Sequence, residues 1–215
     1  MRTAFANKVV KILVFVEFVV NFAFGAFGPI FAIFITERIV GGNAEIVGFA
    51  TAVFWIVKSI IQLPVARYVD RHHGERDDLA VLIAGYFLAS FSILFYVFAT
   101  TPLHIYLIQG FLGVTMAFSA PGWYGIFARH VDRAHESFEW SLVSVFSVGI
   151  ATAISGAVGG VIVVRVGFDA LFIGASALSF VGAAFLLLLL PYVRRAYRPK
   201  TLVHQQQAYP VYKAR

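Results

Sequence analysis

Apolar residues crowd the chain into six long blocks, at about residues 9–35, 44–66, 79–99, 103–128, 138–163 and 168–191. Each reaches the roughly 20 residues that an α-helix needs to cross the hydrocarbon core of a bilayer. The blocks are continuously apolar, which excludes membrane β-strands, where apolar and polar positions alternate over about ten residues. Backbone N–H and C=O groups inside hydrocarbon must pair within their own segment, so each block is expected to be helical. The expected fold class is therefore an all-α membrane protein with six transmembrane helices. Turn-forming or solvated stretches separate the blocks: Gly41-Gly42-Asn43, Asp70 to Asp78, Thr101-Pro102, Asp132 to Glu136, and Gly167. Residues 1–193 read as one six-helix domain and 194–215, with Gln205-Gln206-Gln207, as a disordered basic tail.

Charge adds the orientation. Fourteen of the 17 Lys and Arg residues lie before or in the first turn of the first block, between the second and third or the fourth and fifth, or after the sixth. The opposite side has only Arg38 and Arg165, and Lys58 lies inside a block. Basic residues accumulate in cytoplasmic loops, so both termini are expected to be cytoplasmic. The formal net charge of +6 is thus a topology signal, with attraction to anionic membrane lipid second, and no nucleic-acid partner is expected. The first block is longer than a signal-peptide core and no small-residue cleavage pattern follows it, so it reads as a retained span.

Composition agrees, with 60% hydrophobic residues, 13% charged residues and a mean hydropathy of +0.83. The sequence contains no cysteine, which removes disulfides, thiol nucleophiles and cysteine metal sites. His72 and His73 are adjacent, while His104, His130 and His135 are scattered. None forms a helical i, i+4 metal pair with a nearby carboxylate base, so no metal, cofactor or enzymatic activity is expected.

The informative residues are polar ones within the blocks, because burying a charge at mid-bilayer costs at least about 2.5 to 3.5 kcal/mol. The first block carries Glu17 and Asn21, four apart and on one helical face, and the second carries Lys58 and Gln62 with the same spacing. Glu17 lies about 12 Å in from Val9 and Lys58 about 13 Å in from Arg67 on an antiparallel helix, at 1.5 Å per residue. The two charges are at similar depth. They are expected to form an ion pair facing the protein interior, either coupling protons and binding substrate or only holding the two helices together.

The fourth block has Gln109 and, lower down, Pro121, Trp123 and Tyr124. The fifth starts with Glu139 and Trp140 and then turns small, through Ser147, Gly149, Ser155, Gly156, Gly159 and Gly160. The third and sixth have no charge beyond Asp169 at the very start of the sixth, and only scattered serines, chiefly Ser90, Ser92, Ser176 and Ser179. On this division helices one, two, four and five line an interior while three and six face lipid. Trp123, Tyr124 and Trp140 could equally form an aromatic belt at the headgroups. Ser155, Gly156, Gly159 and Gly160 read as a close helix-packing face or dimer interface, since small residues let backbones approach.

Three passages resemble the major facilitator superfamily. Phe24-Gly25-Ala26-Phe27-Gly28-Pro29 is similar to the glycine and proline region of that family's first helix. Ala66-Arg67-Tyr68-Val69-Asp70-Arg71-His72-His73-Gly74-Glu75-Arg76 resembles its loop signature, with Ala66 in place of the leading glycine, one extra residue before Gly74, and Glu75 interrupting the basic ending. Ser155-Gly156-Ala157-Val158-Gly159-Gly160 resembles its antiporter signature, though the first two positions depart. Gln109 stands where many members carry an arginine before the glycines of helix four, so that arginine's proton-relay role is not carried over.

The resemblance covers about residues 9–191 and implies one six-helix half of a fold whose members have two such halves, with substrate at their interface. It implies a gating loop of Asp70, Arg71, Gly74 and Arg76, with Asp70 near the start of the partner's fifth helix, around Ser137. An anion there would meet a helix N-terminus favourably, although a merely solvated loop has the same composition. A lone half would leave polar groups against lipid, so a second copy of the chain is the expected partner. The function expected is a half-size secondary transporter, moving a small solute by alternating access as a homodimer in the plasma (inner) membrane. The alternatives are a subunit paired with a separate half-transporter and a non-transporting membrane scaffold. Glu17, Asn21, Lys58, Gln62 and Gln109 are the candidate substrate or proton-coupling residues.

Overall fold

The computed structural model describes residues 7–71 and 74–193 and shows six helices long and apolar enough to span a bilayer. They are α1 (Lys8–Arg38), α2 (Ala44–Arg71), α3 (Glu75–Phe98), α4 (Pro102–His130), α5 (Glu136–Arg165) and α6 (Phe168–Leu189). The basic tail at 194–215 and the two loop histidines lie outside the described residues.

Two helix ends differ from the apolar pattern. Helix α2 runs on to Arg71 and α3 begins at Glu75, so Asp70, Arg71 and Arg76 are helical and the expected loop shrinks to the residues around Gly74. Electrostatics explains the extension: Arg71 sits in the last turn of α2, while Glu75, Asp77 and Asp78 sit in the first turn of α3, each sign at the favoured end of the helix dipole. The Gly74 carbonyl accepts the Asp77 and Asp78 backbone N–H groups at 3.0 and 3.2 Å and closes that turn.

The helices pack in an arc, in the order α2, α4, α3, α6, α1, α5. Helix α1 also touches α4, and α1 meets α2 mainly through its Phe31–Arg38 end. Two apolar clusters hold the arc. One gathers Phe27, Phe31, Phe34, Tyr96, Phe168 and Phe172, with Phe34 and Phe172 edge to face at 4.8 Å. The other, toward the helix ends that carry Arg129, joins Leu13, Leu79, Leu82, Ile126, Phe127 and Leu186. The helices ending the arc are the least covered: 6% of the apolar stretch of α2 and 22% of that of α5 are buried, against 44–56% in the others.

That distribution qualifies the expected division of helices: α3 and α6 do expose apolar side chains, such as Phe91 and Val181, but they are more covered than α2 and α5. Helices α3 and α6 turn their serines toward each other: the Ser90 and Ser179 hydroxyls lie 2.8 Å apart, and the Ser176 hydroxyl donates to the Ser90 carbonyl at 2.9 Å. Polar groups facing a neighbouring helix are satisfied there and need no cavity. Among the described residues the barest faces are those of α2 and α5, with Trp55, Ile56, Ile60 and Leu63 on one and Val145, Ile154, Val158 and Val161 on the other.

Helix α1 tightens into a 3-10 turn at Gly28–Ile30, with Pro29 near the start of that turn. Against it lies the small-residue face of α5. A methyl group on Gly25 would meet the Ser155 hydroxyl and, at 2.9 Å, the Thr152 backbone. One on Gly159 would collide with the Ala26 carbonyl, and one on Gly156 would touch Pro29 at 3.4 Å. Ser155, Gly156 and Gly159 therefore serve packing within the chain, whereas Gly160 has open space beside it.

Candidate functional site

In the mouth of the arc, between α2 and α5, is a cavity of about 280 Å³. Its polar residues are Glu17 and Asn21 from α1, Lys58 from α2, Tyr86 from α3 and Ser119 from α4. Its aromatic walls are Trp123 and Tyr124 of α4 and Trp140 of α5.

The Glu17 carboxylate is held at both oxygens. Asn21, one turn on, donates from Nδ2 to Glu17 Oε1 at 3.0 Å and to the Glu17 backbone carbonyl at 2.9 Å. Tyr86 donates its hydroxyl to Oε2 at 2.6 Å, a short bond of the kind formed with a charged acceptor. These bonds fix the carboxylate's orientation from the side of α1 and α3.

Lys58 faces the same cavity but does not close onto Glu17. Among the described residues no contact within 4.0 Å joins the two charges. The Lys58 ammonium instead lies over the rings of Trp55, at 4.8 Å, and Phe54, at 5.7 Å, in a cation–π arrangement. The expected direct ion pair is thus replaced by two charges across a cavity. The reason is the packing order: α4 occupies the place beside α2 where a direct pair would need α1, and Tyr86 takes the carboxylate first.

Gln62 is half-buried on α2 and is not part of the cavity lining. Gln109 is buried in α4, seven residues before the nearest α4 lining residue, Met116, and so about 10 Å farther along the axis. Of the five candidates, the structure brings together Glu17, Asn21 and Lys58.

Trp123 is 5% exposed and stacks on Phe127 at 4.8 Å, and Trp140 packs on Phe127 at 4.6 Å. These two rings line the cavity wall and pack into the core, while Tyr124 lines the cavity with much of its ring exposed. The α5 wall is also irregular: Val143–Ile150 is π-helical, and Ser147 within it donates to the Val14 carbonyl at 2.8 Å. Wide turns of this kind are rare and recur at functional sites. Val143 and Val148 of this stretch line the cavity.

At the helix ends below, α3 and α4 are clasped by charge. Arg129 pairs with Asp78 and, through Nε at 3.4 Å, with Glu75. Asp78 is 2% exposed, and its Oδ1 has no hydrogen-bond partner. Asp78 falls within the polar break of the sequence, so its burial could not be read there. Tyr86 was also missed, because an uncharged tyrosine in an apolar helix carries no signal of its own; its depth, matching that of Glu17, was the one available clue.

Six membrane-spanning helices around a polar, intramembrane cavity define a polytopic membrane protein of the transporter kind. A model of the Major Facilitator Superfamily matches residues 13–211, and the chain belongs to that family, whose members are generally transporters. No curated protein matches it in sequence.

Proposed function

We propose that the chain is a half-size secondary transporter that moves a small solute by alternating access as a homodimer, with the Glu17 cavity as its solute and proton-coupling site. The observation that carries this reading is a membrane-embedded carboxylate, bonded by Asn21 and Tyr86, facing an ammonium across a cavity lined by five helices. A structural ion pair would close; a transport site keeps its charges apart and available to a ligand.

Pairing through the bare faces of α2 and α5 completes the reading. It would cover their exposed apolar side chains and shut the open side of the cavity with the same surface from a second copy. In that assembly Asp70, exposed at the end of α2, caps the start of the partner's α5 near Ser137. The basic ends lie in the cytoplasm of a plasma (inner) membrane, as the Lys and Arg distribution favours.

The test is flux in proteoliposomes carrying an entrapped pH dye, with a panel of small solutes supplied under an imposed proton gradient. Glu17→Gln is expected to abolish solute-dependent proton movement and Lys58→Met to abolish solute uptake. Undiminished activity in both variants would refute the assignment.

A further inference from the structure

The geometry points to an organic anion, a carboxylate on an aromatic or apolar body, as the ligand class of the Glu17 cavity; this rests on reading the cavity as the solute site. The two charged groups of the cavity differ in how far their hydrogen-bonding capacity is met. Each Glu17 oxygen already receives one donor, Oε1 from Asn21 and Oε2 from Tyr86. The Ser119 hydroxyl is spent on the Thr115 carbonyl at 3.0 Å. Of the two charged groups in the lining, the one left without a hydrogen-bond partner among the described residues is a donor. Lys58 has three N–H groups, no carboxylate within 4.0 Å among the described residues, and only the ring faces of Trp55 and Phe54 beneath it. The buried Trp123 indole N–H has no hydrogen-bond partner either.

A ring face offers an ammonium far less than a carboxylate does, so Lys58 is held in place without being satisfied. A ligand carboxylate would complete it. An ammonium ligand, by contrast, would have to share Glu17 with two donors already bound and would bring a second cation beside Lys58. The walls describe the rest of the ligand: Met116, Trp123, Tyr124 and Trp140 offer apolar and aromatic surface, and about 280 Å³ accommodates one ring and a short chain.

The three tryptophans of the chain are Trp55 beneath Lys58 and Trp123 and Trp140 in the wall, so intrinsic fluorescence reports on the site. The experiment is fluorescence titration of the full chain in nanodiscs with three probes of matched shape: 3-phenylpropionate, 3-phenylpropanamide and 3-phenylpropylammonium. The acid is expected to quench saturably, with half-saturation at least about tenfold below that of the amide, the factor that one lost charged hydrogen bond is worth. Lys58→Met should erase that preference and Lys58→Arg should retain it. Equal half-saturation for the three probes, a preference for the ammonium, or a preference for the acid that survives in Lys58→Met would each overturn the assignment. Absence of saturable quenching by all three would overturn it too, and proton flux in Glu17→Gln then judges the transport reading separately, because that assay uses other solutes.

Discussion

Gly159 and Gly160 are neighbours in one small-residue motif, yet the structure gives them opposite surroundings, and that contrast makes a sharp experiment. A Cβ on Gly159 would run into the Ala26 carbonyl and crowd the Ala26 Cα at 3.2 Å, both backbone atoms that cannot rotate away. A Cβ on Gly160 would meet nothing within 4 Å. Forcing one methyl into a packed contact costs about 1 to 3 kcal/mol through backbone displacement. For Gly159→Ala that corresponds to a fall of about 5-fold to 150-fold in the folded-to-unfolded ratio. Gly160→Ala should stay within about 0.5 kcal/mol of the parent, as surface substitutions do. The assay is reversible unfolding in mixed micelles, followed by tryptophan fluorescence, with both variants measured beside the parent. Equal destabilisation by the two substitutions, or a neutral Gly159→Ala, would refute the close approach of α1 and α5. If Gly160 lies against a second copy, its alanine variant should shift the monomer–dimer equilibrium while leaving the unfolding of the chain unchanged.

Three further outcomes are expected. Removing the Arg129 guanidinium strands the buried Asp78, so Arg129→Ala should cost about 1 to 3 kcal/mol, below the figure for a fully buried pair because Arg129 is 44% exposed; Asp78→Asn in the same chain should recover part of it in the same unfolding assay. The Tyr96 hydroxyl is buried without a partner among aromatic rings, so Tyr96→Phe should hold or raise stability, by up to about 1 to 3 kcal/mol, and a clear loss would reveal a hidden hydrogen bond. Cysteines placed at positions 70 and 137 in this cysteine-free chain should crosslink between copies in the membrane, and a folded protein yielding no cross-subunit product would count against the proposed dimer.

The helices were legible in the sequence because membrane insertion is a nearly local constraint: a long apolar run must be helical whatever it packs against. The same holds for the shared face of Glu17 and Asn21, which one helical turn dictates, and the structure shows the bond between them. The small-residue passages of α1 and α5 could also be recognised as packing faces, although not as each other's partner. Which helices neighbour one another is a different matter, since six apolar cylinders of similar composition fit together in many orders. Tertiary structure alone decided that α3, through Tyr86, binds the Glu17 carboxylate while α2 holds Lys58 apart over Trp55. It likewise buried Asp78 beneath Arg129 and left α2 and α5 bare. Spacing along a chain determines what lies on one helix face; the helix beyond that face is chosen by packing, which depends on every span at once.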